Sequence, residues 1–585
     1  MEEINKITGY IIIFLLSLQP SCINRPVYNV PDIALHQFEI DYIFDSPEPL
    51  KDHKMKEFLD VLVSNYLDTV NFDQYIAHYS SVNSLDSGLI SIYKQFGNKL
   101  IWHKYKHPLP KSSLLIDILQ HAYQYGLDPD DYEINSLLGK QDKVKYDEST
   151  IRQLIDLDII MTSKYLLLGY HLNAGRLNPV KEMEEWFINK KEVDIDEVLI
   201  KGLKSGNLQA AIEDLHPENK WFQPLKEQYL NYLQLAKSRD IDVSKLGSLS
   251  GISPGDTGEV IIELKKFLQH LGDMEKVKKV DHLYDEKLSE AISRFQKRHG
   301  LDESGLIDDS TERELQVPLE ERLKKLVVNM ERLKWLPEFG EDYIMVNIPE
   351  YRMKLYEKGK KQIDMKAIVG TEMNPTPVMN EEMSYIVINP TWTVPTSISS
   401  KEFLPKIKDD KDFFEKNHFL LYESWTKDAE LLDPEDVDWD DYSEDDFPFK
   451  IVQKPGTHNA LGHIQFMMPN NQAIYLHDTP ADYLFEKDDR TFSHGCVRLE
   501  QPFELAEYLL KHNNDWNVDS MQNALQEEEP VNVTLPEKWP VFLLYQTAWI
   551  DDDGLLNFRD DVYEFDAFQW SLLNKDSHYQ TVVKN

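Results

Sequence analysis

The chain has 585 residues, which is too long for a single hydrophobic core and predicts several domains. Apolar residues make up 41% of it and aromatic residues 11%, so the composition is that of folded domains and not of a disordered chain. The formal charge is −39, from 63 basic and 102 acidic residues. This balance argues against nucleic acid as a partner, because neutralising phosphates requires a surplus of Lys and Arg.

The N-terminus carries features of an export signal. Residues 10–18 form an apolar run that is too short to cross a bilayer as a mature helix, and Lys6 precedes it. Cys22 follows the run, where a bacterial lipoprotein carries its acylated cysteine, although Gln19 and Pro20 depart from that signal. We therefore expect residues 1–22 to be a signal segment, and Cys22 to be a lipidation site that anchors an exported protein to a membrane.

Residues 23–250 are predicted to form a helical scaffold domain. Apolar residues recur there at helical spacing, for example in IRQLIDLDIIMTSKYLLLGYHL, and no catalytic motif stands out. A Gly- and Ser-rich stretch, LGSLSGISPGDTGEV at 246–260, then indicates a domain boundary.

A three-helix module is predicted at residues 251–318. Gly272 is expected to end its first helix and Gly300 its second, because glycine readily adopts the left-handed conformation that closes a helix. Asp309 or Ser310 is expected to cap the third helix. The first helix places five apolar residues on one face, namely Val260, Leu264, Phe267, Leu268 and Leu271.

Residues 319–585 are predicted to begin with a helix and to continue as a mostly β domain. From residue 343, stretches rich in Val, Ile and Tyr are separated by turn residues. GHIQFMMPNNQAIYLHD predicts a hairpin around residues 469–471, and the Asp-Gly pair at 553–554 predicts another turn. The whole chain is thus predicted to be a multi-domain α+β protein.

The main chemical signal is TFSHGCVRLE at residues 491–500. If Cys22 is lipidated, Cys496 is the only free thiol, because the chain has two cysteines. Fifteen residues separate His477, at a predicted strand end, from Ser493. A nearby imidazole can take the proton of a thiol, whose pKa is otherwise about 8.5. The pattern favours cysteine acyl transfer over the alternative, a buried cysteine that serves as a small apolar residue.

Two histidines compete for the role of general base, and the geometry of the sequence alone does not separate them. His494 is two residues from Cys496, whereas His477 is remote along the chain. Asp478 would face away from His477 in a strand, where side chains alternate. We therefore expect a backbone carbonyl, and not Asp478, to orient the His477 imidazole.

Other residues near Cys496 are candidates for stabilising the oxyanion of a tetrahedral intermediate. Gly495 gives the backbone freedom to present its N–H, and the amide of Cys496 points in the same direction. Tyr475 shares the strand face of His477 and is a further donor. Each such donor typically contributes about 3–4 kcal/mol to the stability of the transition state.

The chain has His477 and then, after the fifteen-residue gap, Ser-His-Gly-Cys. This arrangement resembles the signature of L,D-transpeptidase catalytic domains of the YkuD type. Four stretches also resemble the larger, multi-domain YcbB-like branch, namely VINPTWTVPTSI, PGTHNALGHIQF, YLHDTP and GCVRL. A fifth, RFQKRHGLDESGLIDDSTEREL, resembles a peptidoglycan-binding domain. The resemblance covers about residues 250–585 and implies that His477 is the base. Arg498 stands where smaller members usually have asparagine. The residues to which the resemblance gives other roles are Ser493 and His494 as supporting residues and Arg498, Trp392 and Asn459 as substrate-binding residues.

Residues 428–446 hold eleven acidic residues and no basic ones. Asp436, Asp438 and Asp440 mimic the start of a calcium loop. Asp441 and Phe447 stand where that loop needs glycine and glutamate, so we expect a solvated loop and no metal site. The resemblance implies that this segment belongs to a cap insertion at about residues 395–455, over the catalytic cleft.

The resemblance implies an enzyme of the periplasm of a Gram-negative-type bacterium that needs no metal or organic cofactor. Cys496 would attack the carbonyl of a diamino acid in a tetrapeptide stem of peptidoglycan and release D-Ala. The amine of a second stem would then take the acyl group and form a 3→3 cross-link. Carbapenems are expected inhibitors, because they acylate such cysteines.

Three alternatives remain open. An L,D-carboxypeptidase would give the same thioester to water, and a protein-to-peptidoglycan ligase or its reverse would use a protein as partner. A non-catalytic wall-binding scaffold would not use Cys496 at all. Peptidoglycan stems and glycan are the expected partners in each case.

Overall fold

The computed structural model describes residues 85–574 and the isolated residue 61, apart from gaps at 105–106, 144–150, 189–192, 218, 239–245, 514–515, 517 and 528. The predicted signal segment and Cys22 lie outside the described residues. Within the described part, no helix combines the length and the apolar character that crossing a membrane requires.

The N-terminal region is helical and has its own apolar core, as predicted. Leu89, Leu119, Leu168 and Leu199 are among the residues at its centre. At one edge of this core Asp158 is completely buried, and its carboxylate accepts hydrogen bonds from the backbone N–H groups of residues 101 and 102. The helices are α1 Leu85–Gln95, α2 Pro110–Gln120, α3 Ile134–Lys143, α4 Ile151–Asn173, α5 Pro179–Glu182, α6 Ile195–Ser205, α7 Leu208–Asp214 and α8 Phe222–Ser238, and two short strands, β1 His103–Lys104 and β2 His107–Pro108, pair between α1 and α2.

The three-helix module is formed by α9 Glu259–Leu271, α10 Glu286–His299 and α11 Asp309–Leu315. Gly272 and Gly300 close α9 and α10 in the left-handed conformation, as predicted. The cap of α11 differs from the prediction: Asp308 occupies this position, because its carboxylate accepts the N–H of Thr311 at 2.7 Å. The module packs against the β domain through His299, whose ring stacks on Phe558.

The β domain begins with α12 Leu319–Trp335, which is buried along most of its length. Eight strands form a closed ring in the order β12, β13, β15, β6, β5, β4, β16 and β7, because β7 also pairs with β12. Closing the ring gives each of these eight strands a partner on both sides. The ten strands of this sheet are β3 Trp186–Phe187, β4 Tyr343–Asn347, β5 Arg352–Glu357, β6 Lys360–Gly370, β7 Val378–Ile388, β12 Ile464–Met467, β13 Leu476–His477, β14 Thr491–Ser493, β15 Val497–Leu499 and β16 Val531–Leu544.

Both predicted hairpins of the β domain are present. β12 pairs with β13 in antiparallel register, which places Gln465 opposite His477. β17 Ala548–Ile550 pairs with β18 Leu556–Phe558 around Gly554, which has a positive φ of 78°. The remaining helices of this domain are α16 Pro502–Leu510, α17 Val518–Ala524 and α18 Phe565–Leu573.

The insertion between β7 and β12, here called the cap, has its own sheet and core. Its strands pair in the order β10, β9, β11 and β8, and its core is rich in aromatic residues such as Phe413, Phe419 and Phe449. A π-helical stretch, Ser399–Phe403, joins its first two helices. The cap elements are β8 Trp392–Thr393, α13 Thr396–Ile398, α14 Leu404–Asp409, α15 Phe413–Lys416, β9 Phe419–Tyr422, β10 Leu431–Leu432 and β11 Lys450–Gln453.

The acidic segment 428–446 is only partly the solvated loop that we expected. Its acidic side chains are mostly exposed, but Trp439 packs on the cap core, where its ring stacks on Phe414. Asp433 and Asp438 each accept a backbone N–H two residues later, which shapes two short turns. Among the described residues, no group of three or more His, Cys, Asp or Glu side chains could hold a metal ion.

Candidate active site

The candidate site is formed where β13 and β15 lie side by side in the barrel. The two strands pair in parallel, with Leu476 opposite Val497 and His477 opposite Arg498. The N–H of Val497 donates to the carbonyl of Tyr475 at 3.2 Å. This register brings the histidine, the tyrosine and the segment after Cys496 together, although about twenty residues separate the two strands along the chain.

The loop before Cys496 is held by hydrogen bonds of Ser493. Its hydroxyl accepts the N–H of Gly495 at 3.1 Å and donates to the carbonyl of Cys496 at 2.5 Å. Gly495 has a φ of +108°, which side chains rarely tolerate, so this position requires glycine. The N–H of Gly495 already donates to the hydroxyl of Ser493. This hydrogen bond would have to break before the N–H could bind an oxyanion, so that role of Gly495 stays a prediction.

Thr376 supports the same loop from β6 and the following turn. Its hydroxyl donates to the carbonyl of Gly495 at 2.7 Å and accepts the N–H of Gly370 at 2.8 Å. The sequence did not single out this residue. Thr376 lies 119 residues before Gly495, and nothing in its local sequence distinguishes it from other threonines.

The thiol of Cys496 is partly exposed, and its nearest partners come from the segment that leads into β13. Its Sγ lies 3.8 Å from the carbonyl oxygen of Ala473. Burial raises the pKa of Cys496 to about 11, against the opposing effects of hydrogen bonds from the backbone and the phenol of Tyr475 and of the charge of Arg498. The thiol is therefore mainly protonated in the resting protein at neutral pH.

Tyr475 is the hydroxyl group that faces the sulfur. Burial raises the pKa of its phenol, as does its proximity to Cys496, so it stays a hydrogen-bond donor at neutral pH. Its ring also contacts His477, with ring centroids 5.7 Å apart. A donor in this position stabilises the thiolate more than the thiol.

His477 is buried and held in one orientation. Its Nδ1 donates to the carbonyl of Asp478 at 2.5 Å, and the backbone of Leu461 also forms a hydrogen bond with the ring. Burial, together with the charge of the nearby Arg498, lowers the pKa of His477 to about 3. The carboxylate of Asp478 points elsewhere and accepts the N–H of His463 at 2.7 Å.

The two pKa shifts describe a resting pair of neutral groups. A thiol with a raised pKa and an imidazole with a lowered one do not form a thiolate–imidazolium pair on their own. Proton transfer from Cys496 to a base would therefore accompany nucleophilic attack, as in general-base catalysis. His477 is the better candidate for this base, because it contacts Tyr475, whose phenol forms a hydrogen bond with the thiol, whereas His494 bonds to the cap as described below.

Arg498 brings a positive charge to the site. Burial lowers the pKa of its guanidinium, and the charges that oppose this effect are those of Cys496 and Tyr483. Its Nε is buried without a hydrogen-bond partner among the described residues. A guanidinium in this state stabilises a thiolate and also suits a carboxylate ligand, which it can bind with two parallel hydrogen bonds.

The structure places Trp392 and Asn459 at the base of the cap. Trp392 starts β8 and contacts the ring of Phe403. Asn459 is 0% exposed, and its side-chain amide donates to the carbonyls of Pro390 at 3.0 Å and Lys454 at 2.9 Å. These contacts tie the two chain segments that enter and leave the cap. Direct substrate binding by Trp392 and Asn459 stays a prediction, which the burial of Asn459 does not favour.

The side chain of His494 contacts the cap. Its Nε2 lies 2.6 Å from Oε1 of Glu402, which belongs to the π-helical stretch of the cap. Sequence reasoning missed Glu402, because 92 residues separate it from His494 and the cap is rich in acidic residues that look alike.

Three parts of the chain match families of known proteins. Residues 341–533 match the L,D-transpeptidase catalytic domain (YkuD), residues 257–315 a peptidoglycan binding domain, and residues 87–228 a scaffold domain. A curated Haemophilus influenzae protein described as an L,D-transpeptidase is 34% identical over 258 residues, which are 43% of this chain and 51% of that protein. The chain thus spans about half the length of this relative.

Solved structures of L,D-transpeptidases are also similar, at low sequence identity. The protein from Stackebrandtia nassauensis is 14% identical, with a TM-score of 0.19, over 50% of this chain and 95% of that one. The protein from Mycobacterium smegmatis is 11% identical, with a TM-score of 0.16, over 36% of this chain and 61% of that one.

Proposed function

Because the chain carries an L,D-transpeptidase catalytic domain of the YkuD type beside a peptidoglycan-binding domain, we propose that it cross-links peptidoglycan stems through a thioester on Cys496. The observation that supports this best is the parallel pairing of β13 and β15, which sets His477 opposite Arg498 and brings the strand of Tyr475 and His477 beside the segment that follows Cys496.

The proposed reaction has two acyl transfers. In the first, Sγ of Cys496 bonds to the carbonyl carbon of the diamino acid in a tetrapeptide stem, and the bond to the terminal D-Ala breaks. The thiol proton passes through His477 to the amine of the departing D-Ala. In the second, the side-chain amine of another stem attacks the thioester, the carbon–sulfur bond breaks, and the amine's proton returns to sulfur. The product is a 3→3 cross-link.

Each residue of the site has a task in this scheme. His477 moves the proton, Tyr475 stabilises the thiolate as it forms, and Arg498 holds a carboxylate of the donor stem. The chemistry needs no metal or organic cofactor, because one thiol, one base and hydrogen-bond donors are sufficient for acyl transfer.

The test is the product formed from a soluble disaccharide-tetrapeptide. The proposal predicts a dimer that has lost one D-Ala, detected by mass spectrometry, and no dimer with Cys496→Ala. A monomeric tripeptide as the main product would instead identify an L,D-carboxypeptidase. Transfer of the acyl group only to or from a protein amine would identify a ligase or its reverse.

We also propose that glycan strands lie in a cleft between the module and the barrel. The cleft has a volume of ≈ 1870 Å³, larger than the roughly 300–1,000 Å³ of small-ligand pockets. The ends of α10 and α11 form one wall and strands β4 to β6 the other. It reaches Thr491, two residues before Ser493, so a bound strand would bring its stems close to the catalytic loop.

Trp549 lines this cleft, with the guanidinium of Arg559 5.0 Å from its ring. Trp549→Ala in a Cys496→Ala background should weaken binding to intact sacculi. Trp570→Ala is the matched control, because Trp570 also contacts a cation, Lys324, but does not line the cleft. Equal loss of binding in both variants would contradict this placement of the glycan.

Export and anchoring form the last part of the proposal. Both matched domains act on peptidoglycan, which lies outside the cytoplasmic membrane, and the apolar run before Cys22 has the form of a signal. We propose a periplasmic lipoprotein acylated at Cys22. The wild type should fractionate with membranes and Cys22→Ser should not; a wild type found entirely in the soluble fraction would exclude the anchor.

A further inference from the structure

One contact joins the cap to the catalytic loop at the rim of the site. Nε2 of His494 lies 2.6 Å from Oε1 of Glu402, and the two side chains are 44% and 43% exposed. Glu402 belongs to the π-helical stretch Ser399–Phe403, a geometry that is often found at functional positions. The contact lies two residues from the nucleophile.

The catalytic loop does not need His494 to keep its own shape. Ser493 and Thr376 hold the backbone of residues 493–496 through the hydrogen bonds described above. The side chain of His494 is therefore available for the cap, although it belongs to the motif that surrounds the thiol. A purely structural histidine would be expected to bond within the loop.

The acidic segment is connected to the same stretch. Nζ of Lys401 lies 3.2 Å from Oε1 of Glu444, within residues 428–446. Lys401 and Glu402 are adjacent, so the segment, the π-helical stretch and the catalytic loop form one line of contacts. These contacts connect the acidic segment to the catalytic loop, which its charge alone did not predict.

The cap is thus held at two places that differ in strength. At its base, Asn459 is completely buried and bridges the two chain segments that enter and leave the cap. At its rim, the contact between Glu402 and His494 is exposed to solvent. Exposed ion pairs contribute little free energy, so the rim contact can break during each turnover while the base stays intact.

We propose that Glu402 is a positioning residue that holds the cap closed on His494 while the thioester exists. This inference rests on the proposed function, because it concerns the fate of the acyl-enzyme. Closure excludes water, which competes with the acceptor amine for the acyl group. Breaking the contact opens the site for the exchange of stems.

The test compares Glu402→Ala and Glu402→Gln with Glu382→Ala. Glu382 forms a more exposed ion pair with Lys538 at 2.9 Å, on a barrel strand outside the cap. The readout is the ratio of tripeptide to cross-linked dimer formed from a soluble tetrapeptide. Glu402→Ala should raise this ratio about two- to fivefold, the range expected for one exposed ion pair. Glu402→Gln, which keeps a hydrogen-bonding group, should raise it less, and Glu382→Ala should not change it.

A double-mutant cycle tests whether Glu402 and His494 act together, and an acylation assay separates failure of this inference from failure of the proposed function. If the two residues act together, Glu402→Ala should have no further effect on the ratio in a His494→Ala background. Unchanged ratios in Glu402→Ala, with wild-type dimer formation, would overturn the inference but not the proposed function. A wild type that gains no covalent mass from a carbapenem would overturn the proposed function itself.

Discussion

The barrel and the cap are held together in different ways. The barrel closes its sheet into a ring of eight strands, and the pairing of β13 with β15 fixes the backbone beside Tyr475, His477 and Cys496. The cap has a small sheet of four strands and an aromatic core of its own. Its contacts with the rest of the site include the buried base at Asn459 and the exposed rim at Glu402.

For the proposed reaction, this difference assigns acylation to the barrel and the choice of acceptor to the cap. Acylation of Cys496 depends on groups that the barrel positions, so changes in the cap should leave it largely intact. The choice between water and an amine depends on access to the thioester, so changes in the cap should alter the products. Variants in one region and not the other can test this division of roles.

The largest effects are expected in the barrel, at the nucleophile and its base. Cys496→Ala should abolish turnover, and His477→Ala should reduce it by about 10²–10⁴, the usual contribution of a general base. The measurement is dimer formation from a soluble tetrapeptide, with His512→Ala, an exposed histidine, as the control. Full activity in Cys496→Ser would contradict the thiol mechanism, because serine is a far weaker acid.

A smaller effect is expected from the phenol of Tyr475. Its hydrogen bond opposes the rise of the Cys496 pKa to about 11, so Tyr475→Phe should raise that pKa further. The thiolate fraction should then fall at every pH below the pKa of the thiol, by about tenfold for one pKa unit.

The check is the rate of acylation by a carbapenem between pH 7 and pH 10. The deficit of Tyr475→Phe should persist through the neutral range and shrink only as the pH approaches the pKa of the thiol. Tyr508→Phe, far along the chain in α16, is the control. A variant with the wild-type rate at neutral pH would show that the phenol does not act on the sulfur.

Asn459→Ala tests whether the base of the cap contributes to stability and not to acylation. Its amide pairs with buried carbonyls, and leaving such groups unpaired costs about 1–3 kcal/mol of stability. Thermal unfolding should show this loss, while acylation of Cys496 in the folded variant stays close to that of the wild type. A fully stable variant with a raised KM for the tetrapeptide would instead support the substrate-binding role expected from the sequence.

The smallest effects are expected within the acidic segment. Trp439→Ala removes a ring that packs on the cap core, so it should loosen the cap and raise hydrolysis relative to cross-linking about twofold or more. Replacing the exposed Asp440 and Asp445 by Asn should leave the ratio nearly unchanged, because salt screens exposed charges beyond about 8–10 Å. The reverse order of effects would favour electrostatic steering of the acceptor amine over exclusion of water.

Much of the fold and of the nucleophilic motif could be predicted because the signals are local. Helical spacing and glycine stops predicted α9 and α10, and turn residues predicted the hairpin that ends at His477. The domain boundaries and the roles of individual site residues stay predictions. The contacts of Thr376, Asn459 and Glu402 could not be predicted, because each joins segments far apart in sequence and depends on how the ring of strands closes.

The pKa values of the site residues could not be predicted from the sequence either. A histidine near a cysteine is compatible with an ion pair or with two neutral groups. Burial decides between them, since it raises the pKa of Cys496 and lowers that of His477. Burial is a property of the packed barrel and not of the motif.

The most direct test of the central claim is the intact mass of the protein after exposure to a carbapenem. The wild type and Glu402→Ala should each gain the mass of one carbapenem at similar rates, and Cys496→Ala should gain none. The modified peptide after digestion should contain Cys496. A wild type that gains no mass, or an adduct that persists in Cys496→Ala, would contradict the assignment of the barrel thiol as the nucleophile.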